Sequence, residues 1–283
     1  MPTLVGDRLR SIPDTSDVSW WSQYLPPWEQ RIDGRAVDVE RTARLAEFDD
    51  RVRTNPGVPL QLAGPKMHRV QHRSQPGTWR NPIPTVPLPL QDQVWVEQRT
   101  TDHNWFAVDP DAGMYYEASE MGPVWFWAST PWKAGYIRVY NLNQRWDAQR
   151  ASITGGGLPM WPMVPRIADL DEGAGGVQHA LHFIVSGGYS SEPHIAPARK
   201  TDGTRPGHPL RAGARLRLTE AAYIQLMARA QTAHDAAVIW ALRHHGVIVN
   251  DRTAPVGHAI RFGASPDLKL TLQLRLIDFE LVQ

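Results

Sequence analysis

Residues 93–118 read QVWVEQRTTDHNWFAVDPDAGMYYEA, and the fold turns on them. Val94 and Val96, then Trp105 and Ala107, repeat with the period of two that puts alternate side chains on one face of a strand. Asp109-Pro110-Asp111-Ala112-Gly113 follows, a cluster of turn formers. Met114 to Ala118 then reads as the returning strand of a hairpin. Toward the C-terminus the same texture continues. Val124–Trp127 and Tyr136–Tyr140 are short aromatic-rich strands, and Gly155-Gly156-Gly157 with Pro159–Pro165 marks a sharp irregular crossing. His179–Val185 and Leu210–Leu218 are further strands. Residues 268–276 alternate Leu with Lys269, Thr271, Gln273 and Arg275, the pattern of a strand with one buried and one wet face.

One zone breaks this texture. Thr219–His245 predicts helix, or two consecutive helices: Thr219 caps, Glu220 lies in the first turn and Gly246 takes the position after the end. Ile224, Met227, Ala228, Val238, Ile239 and Leu242 supply its apolar stripe. Upstream, Ala36–Arg53 predicts one amphipathic helix stopped by Asn55-Pro56-Gly57. Prolines then recur to Pro89, which argues against a regular helix or central strand, so 54–90 is expected as extended, polyproline-like chain. Residues 1–35, with Trp20, Trp21 and Trp28, read as an irregular arm with aromatic anchors. The expected organisation is an N-terminal docking arm over 1–90 with a helix near 36–53. A mainly β domain, jelly roll or β-sandwich, follows over 91–283 with its helical zone at 219–245.

Composition narrows the function. The 283 residues carry 30 Lys and Arg against 29 Asp and Glu, a net charge of +1 that gives no electrostatic reason for nucleic-acid binding. With no cysteine, disulfides, thiol nucleophiles and thiolate metal sites are excluded. The opening MPTLVGDRLRSIPD lacks the apolar run of a secretory signal, and no window is apolar enough to span a bilayer, so synthesis in a cytosol is expected. The unusual counts are 24 Pro and 12 Trp, which make a stiff chain rich in flat aromatic surface.

Several side-chain groups carry possible chemistry. Asp102 and Glu117 flank the hairpin, and with His179 they would form a polar cluster of the kind that hydrolyses glycosides; ordering of loops at a sheet end is the competing explanation. Trp125, Trp127 and Trp132 crowd one stretch, where exposed rings would stack on sugars and buried ones would fill the core. Trp20 and Trp21 suit an interface with a neighbouring subunit. No metal site is expected: His244 and His245 diverge on a helix and no HExxH occurs. Gly155–Gly157 is not a phosphate loop, the serines near Gly187 form no GxSxG elbow, and Asp169, Asp171 and Glu172 lack calcium-loop spacing. No cofactor is expected.

Residues 101–118 resemble an Asp-Arg-His, strand, Asp, Tyr-Glu segment found in secreted actinobacterial proteins of unestablished activity. The likeness continues in Gly157-Leu158-Pro159, Val177-Gln178-His179-Ala180-Leu181-His182-Phe183, Ala196-Pro197-Ala198-Arg199, Gly213-Ala214-Arg215-Leu216-Arg217-Leu218 and Val247-Ile248-Val249-Asn250-Asp251. It covers about residues 93–262. Related domains occur in minor tail proteins of phages that infect actinobacteria, and the lack of a signal and of cysteine fits that version. The resemblance implies a virion tail-tip protein, structural and host-glycan binding, that contacts other tail proteins through its arm and forms homo-oligomers. It marks Asp102, Glu117, His179 and Arg199 as the polar positions to test. Asn104 and Lys200 stand where the family has histidine, which favours binding over the alternative of a glycan hydrolase or lyase. A secreted-type carbohydrate-binding protein is the other alternative.

Overall fold

The computed structural model describes residues 3–6, 26–48, 51–58, 60–72, 85–96, 102–123, 132–255, 257–263 and 267–283. Its strands in the first half are β1 (Thr3–Gly6), β2 (Arg51–Val58), β3 (Gln61–Leu62), β4 (Met67–His72), β5 (Thr85–Pro89), β6 (Gln93–Val96), β7 (Trp105–Asp109), β8 (Met114–Ser119), β9 (Gly122–Pro123), β10 (Trp132–Ala134) and β11 (Tyr136–Asn141). The second half adds β12 (Leu181–Ser186), β13 (Arg215–Leu218), β14 (Val247–Thr253), β15 (His258–Gly263), β16 (Leu274–Arg275) and β17 (Phe279–Val282). Four α-helices are described: α1 (Val39–Ala43), α2 (Ile167–Asp171), α3 (Glu220–Met227) and α4 (Ala233–His244). With 33% strand against 21% helix, the chain is mainly β, as its sequence predicts.

Two compact units interleave in sequence. The first takes residues 1–24, 57–153 and 264–266; the second takes 25–56, 154–263 and 267–283. This differs from a division at residue 90, because 51–90 supplies strands to both units rather than a separate arm.

In the first unit, two four-stranded sheets, β5-β4-β10-β9 and β11-β8-β7-β3, share one core. Val70, Leu88 and Trp132 from one sheet pack with Trp105, Tyr116 and Ile137 from the other, which makes this unit a β-sandwich. The β7–β8 hairpin forms in the expected register, Trp105 opposite Ala118 and Asp109 opposite Met114. Its turn works through Asp109, whose carboxylate accepts from the Ala112 N–H at 2.9 Å, and through Gly113 at φ +63°. The proline-rich chain is more regular than expected. β5 pairs with β4 and contains Pro87 and Pro89, yet it lies at the end of its sheet. Prolines two residues apart put both missing N–H groups on the same edge, and here that edge has no described partner strand.

The second unit is built on a seven-stranded mixed sheet, β16-β2-β15-β12-β14-β13-β17, with β12 and β14 parallel. Leu181, Phe183 and Val185 of β12, Val247 and Val249 of β14, and Leu216 and Leu218 of β13 form one core with Val238, Ile239 and Leu242 of α4. α3 starts as the sequence predicts, the Thr219 side chain accepting from Ala222 N–H, and α4 starts at Thr232, which accepts from Asp235 N–H in the same way. Gly246 ends α4 at φ +71°, where a side chain would collide with the Leu216 carbonyl. Ile224 departs from the expected stripe; it is 58% exposed.

Three further expectations are corrected. The helix expected over 36–53 is only α1 plus a 3-10 turn at Arg44–Glu47, because over residues 36–48 only Leu45 is buried; Arg51–Val58 is strand β2, and Asn55-Pro56-Gly57 lies inside it rather than in a turn. The alternating leucines do face the core, Leu274 and Leu276 fully and Leu268, Leu270 and Leu272 in part. Residues 268–273 nevertheless join no sheet. Their backbone bonds instead to the start of α4: Lys269 N–H donates to His234 Nδ1 at 3.0 Å and Thr271 N–H to Asp235 Oδ1 at 2.9 Å. The strands at 179–185 and 210–218 are found as β12 and the shorter β13. Val124–Trp127, Trp20 and Trp21 lie outside the described residues.

Candidate functional site

Four of the quoted sequence blocks meet at one corner of the second unit. Asn250, fully buried in β14, is the staple. Its Oδ1 accepts from Leu158 N–H at 3.1 Å and from Thr154 Oγ1 at 3.0 Å, and its Nδ2 donates to the Leu158 carbonyl at 3.0 Å. Gly156 N–H donates to the Asn250 carbonyl at 2.7 Å. A Cβ on Gly156 would lie 2.8 Å from Asn250 Oδ1, so the close approach requires glycine. The Gly156 carbonyl in turn accepts from Arg199 N–H at 2.8 Å and Lys200 N–H at 3.3 Å. Gly213 N–H donates to Val249 O and Val249 N–H to Ala214 O. The irregular crossing, the Pro-Ala-Arg block, the Gly-Ala-Arg block and the strand ending in Asn250-Asp251 are thus one hydrogen-bonded body.

Beyond the C-terminal end of β12, residues 187–214 carry no helix or strand apart from an isolated bridge between Ser190 and Arg205. A connection that long without regular structure is commonly a binding element, and the end of parallel strands is a common place for one. Tyr189 and Asp202 come from this loop, and Arg252 comes from β14. The Tyr189 ring has no exposed surface, and its hydroxyl donates to Asp202 Oδ1. Arg252 Nε donates to Asp202 Oδ2 at 2.9 Å; the two side chains are 41% and 43% exposed. Gly155 lets the backbone lie flush here, since a Cβ would stand 2.4 Å from Asp202 Oδ1 and 2.6 Å from the Tyr189 hydroxyl. Burial first, then the bond to Asp202, pushes the Tyr189 phenol well above its ordinary range, so it stays protonated and donates. The bond that Arg252 donates to Asp202 raises the Arg252 pKa as well. Chemically this corner is a fixed acceptor beside a fixed donor, half open to solvent.

The residues marked in the sequence fall elsewhere or play other parts. Arg199 belongs to the corner and contributes its backbone N–H. Asp102 is exposed before β7, its carbonyl accepting from Glu120 N–H. Glu117 has no exposed surface and accepts from the Tyr115 hydroxyl at 2.8 Å and from Ser152 Oγ. A sealed, hydrogen-bonded carboxylate cannot meet a glycosidic bond, and Glu117 belongs to the first unit while His179 belongs to the second. His179 is half-buried; its Nδ1–H donates to the Ala180 carbonyl at 3.0 Å, and burial lowers its pKa. Trp132 is 1% exposed, a core residue and not a sugar platform. Trp125 and Trp127 lie outside the described residues.

His234 Nε2–H donates to Asp171 Oδ1 at 2.8 Å, a contact that resembles a catalytic dyad. The other nitrogen of His234 already accepts from Lys269 N–H, which leaves none to take a substrate proton. Among the described residues no cluster of three or more His, Asp or Glu is arranged to hold a metal, and no helix is long and apolar enough to cross a membrane. Tyr189, Asp202, Asn250 and Arg252 were not singled out from sequence; the one signal was an asparagine closing the apolar run Val247-Ile248-Val249.

The fate of Glu117 is testable. Glu117→Ala is expected to destabilise the first unit by about 2–4 kcal/mol, because two buried hydroxyls lose their acceptor and a cavity opens. Urea denaturation measures this, and a loss under about 1 kcal/mol would contradict the structural role. No protein family, curated protein or solved structure matches the chain.

Proposed function

We propose that the chain is a minor tail protein of a phage infecting actinobacteria, assembling with other tail proteins and with copies of itself, and that it binds host cell-surface glycan at the corner around Tyr189, Asp202 and Arg252. The observation that carries the reading is the convergence of sequence blocks far apart in the chain on one rigid, polar, half-exposed corner. Binding suits this corner better than hydrolysis, since both oxygens of Asp202 already accept hydrogen bonds from the protein and Glu117 is sealed.

The full chain is expected to sediment with purified actinobacterial cell wall, and Arg252→Ala to weaken that by about tenfold, the worth of one charge-assisted hydrogen bond. Antibody against the chain is expected to label the tail of the particle. Failure of the wild-type chain to sediment removes the glycan reading, and labelling absent from tails removes the virion reading.

A further inference from the structure

The Asp202–Arg252 pair supports a narrower statement about its ligand, one that rests on the glycan-binding reading. Each carboxylate oxygen of Asp202 has two lone pairs, and the protein uses one on each: Oδ1 for the Tyr189 hydroxyl, Oδ2 for Arg252 Nε. Arg252 spends Nε on that bond, and its side chain, with four further N–H groups on the terminal nitrogens, is 41% exposed. The outer rim is therefore acceptor next to donor, held by a fully buried tyrosine below and by the glycine backbone at 155 behind.

A charge inventory narrows the ligand. Arg252 is matched by Asp202, and Asp251, the residue preceding Arg252, adds a second carboxylate that acts on both Arg252 and Tyr189. A phosphate or uronate reaching for the guanidinium would have to lie against Asp202 and within the field of Asp251. Neighbouring sugar hydroxyls carry no such penalty, because a hydroxyl both donates and accepts. One of them can give its proton to Asp202 while the next receives an N–H from Arg252.

We propose that this corner recognises an uncharged sugar through two adjacent hydroxyls, one donating to Asp202 and the other accepting from Arg252. Affinity electrophoresis of the full chain in gels containing neutral arabinogalactan, polygalacturonate or poly(glycerol phosphate) tests it. Retardation is expected in arabinogalactan alone. Periodate, which cleaves carbon–carbon bonds between adjacent hydroxyls, should abolish it when the polymer is treated beforehand. Asp202→Asn and Arg252→Gln should each reduce retention about tenfold with thermal melting unchanged, which separates lost contacts from lost folding. Equal or stronger retardation by the anionic polymers overturns the proposal, as does undiminished binding by both variants or to the periodate-treated polymer. A chain held by cell wall but not by arabinogalactan sinks this inference alone, whereas a chain held by neither sinks the glycan-binding function with it.

Discussion

Arg217→Met is expected to lower the unfolding free energy of the second unit by about 3–5 kcal/mol. Arg217 is 6% exposed, and its Nε donates to Glu280 Oε1 at 2.6 Å. Its NH1 group donates to the carbonyls of Ile32, at 2.5 Å, and Asp33, at 2.8 Å. Methionine keeps most of the volume and removes every donor, so a half-buried carboxylate and two carbonyls lose their partner at once. Arg243 lies 3.5 Å from Glu280 and compensates only in part. Arg215, two residues earlier on the same face of β13, holds the carbonyls of Pro27, Gln30 and His245 in the same way. Together the two arginines clamp residues 27–33 across the sheet face opposite the helices. Arg217→Met is therefore also expected to expose that segment to limited proteolysis. Arg145→Ala, at an exposed ion pair of the first unit, should change the stability of that unit by less than about 0.5 kcal/mol and leave the second unit's unfolding as it is. A loss below about 1 kcal/mol for Arg217→Met in urea denaturation would show that the clamp is replaceable by water.

The Arg-Leu-Arg-Leu run marks where sequence reasoning stops. Its alternation identifies a strand and puts Leu216 and Leu218 in the core, both correct. Alternation also suggests that the arginines are wet, and they are not, because a segment nearly two hundred residues upstream covers them. Period two reports which side chains share a face; it carries no information about what lies on the other face or what the backbone bonds to. The leucines at 268–272 show the same limit, since their N–H groups bond to His234 and Asp235 of a helix and not to a neighbouring strand. Local chemistry was legible where it was self-contained: the Asp109–Gly113 turn, the Thr219 cap and Gly246 each need only residues a few positions away. The binding corner was not. Tyr189, Asp202 and Arg252 carry no mutual spacing signal, and only the fold sets the tyrosine hydroxyl and the guanidinium on the two oxygens of one carboxylate.

Acidification from pH 7 to pH 5 is expected to destabilise the second unit by about 4 kcal/mol through His208 and His245, a large share of the stability of an ordinary domain. Burial holds His208 and His245 down to about 4, and it drives His182 well below the ordinary value. The unfolded chain takes up the protons of His208 and His245 near pH 6.5, and the folded chain takes them up only near pH 4. The contribution of these two histidines is thus level above about pH 7, falls between about 6.5 and 4, and is level again below. Each of the two histidines at about 4 accounts for about 2 kcal/mol at pH 5 and about 3 kcal/mol when the fall is complete. His208 packs on Phe48 with ring centres 4.1 Å apart and spends Nδ1 on Leu210 N–H. His245, at the C-terminal cap of α4, stands where a helix dipole favours a cation. Removal from water, reinforced by His179, Arg215 and Arg31, overrides the dipole. Neither ring nitrogen of His245 has a hydrogen-bond partner among the described residues, so His245→Leu removes no bond. That variant is expected to match the wild type at pH 7 within about 1 kcal/mol and to exceed it by about 2 kcal/mol at pH 5. Urea titrations at the two pH values read the difference directly, and parallel wild-type and variant curves would mean that His245 is protonated in the folded chain.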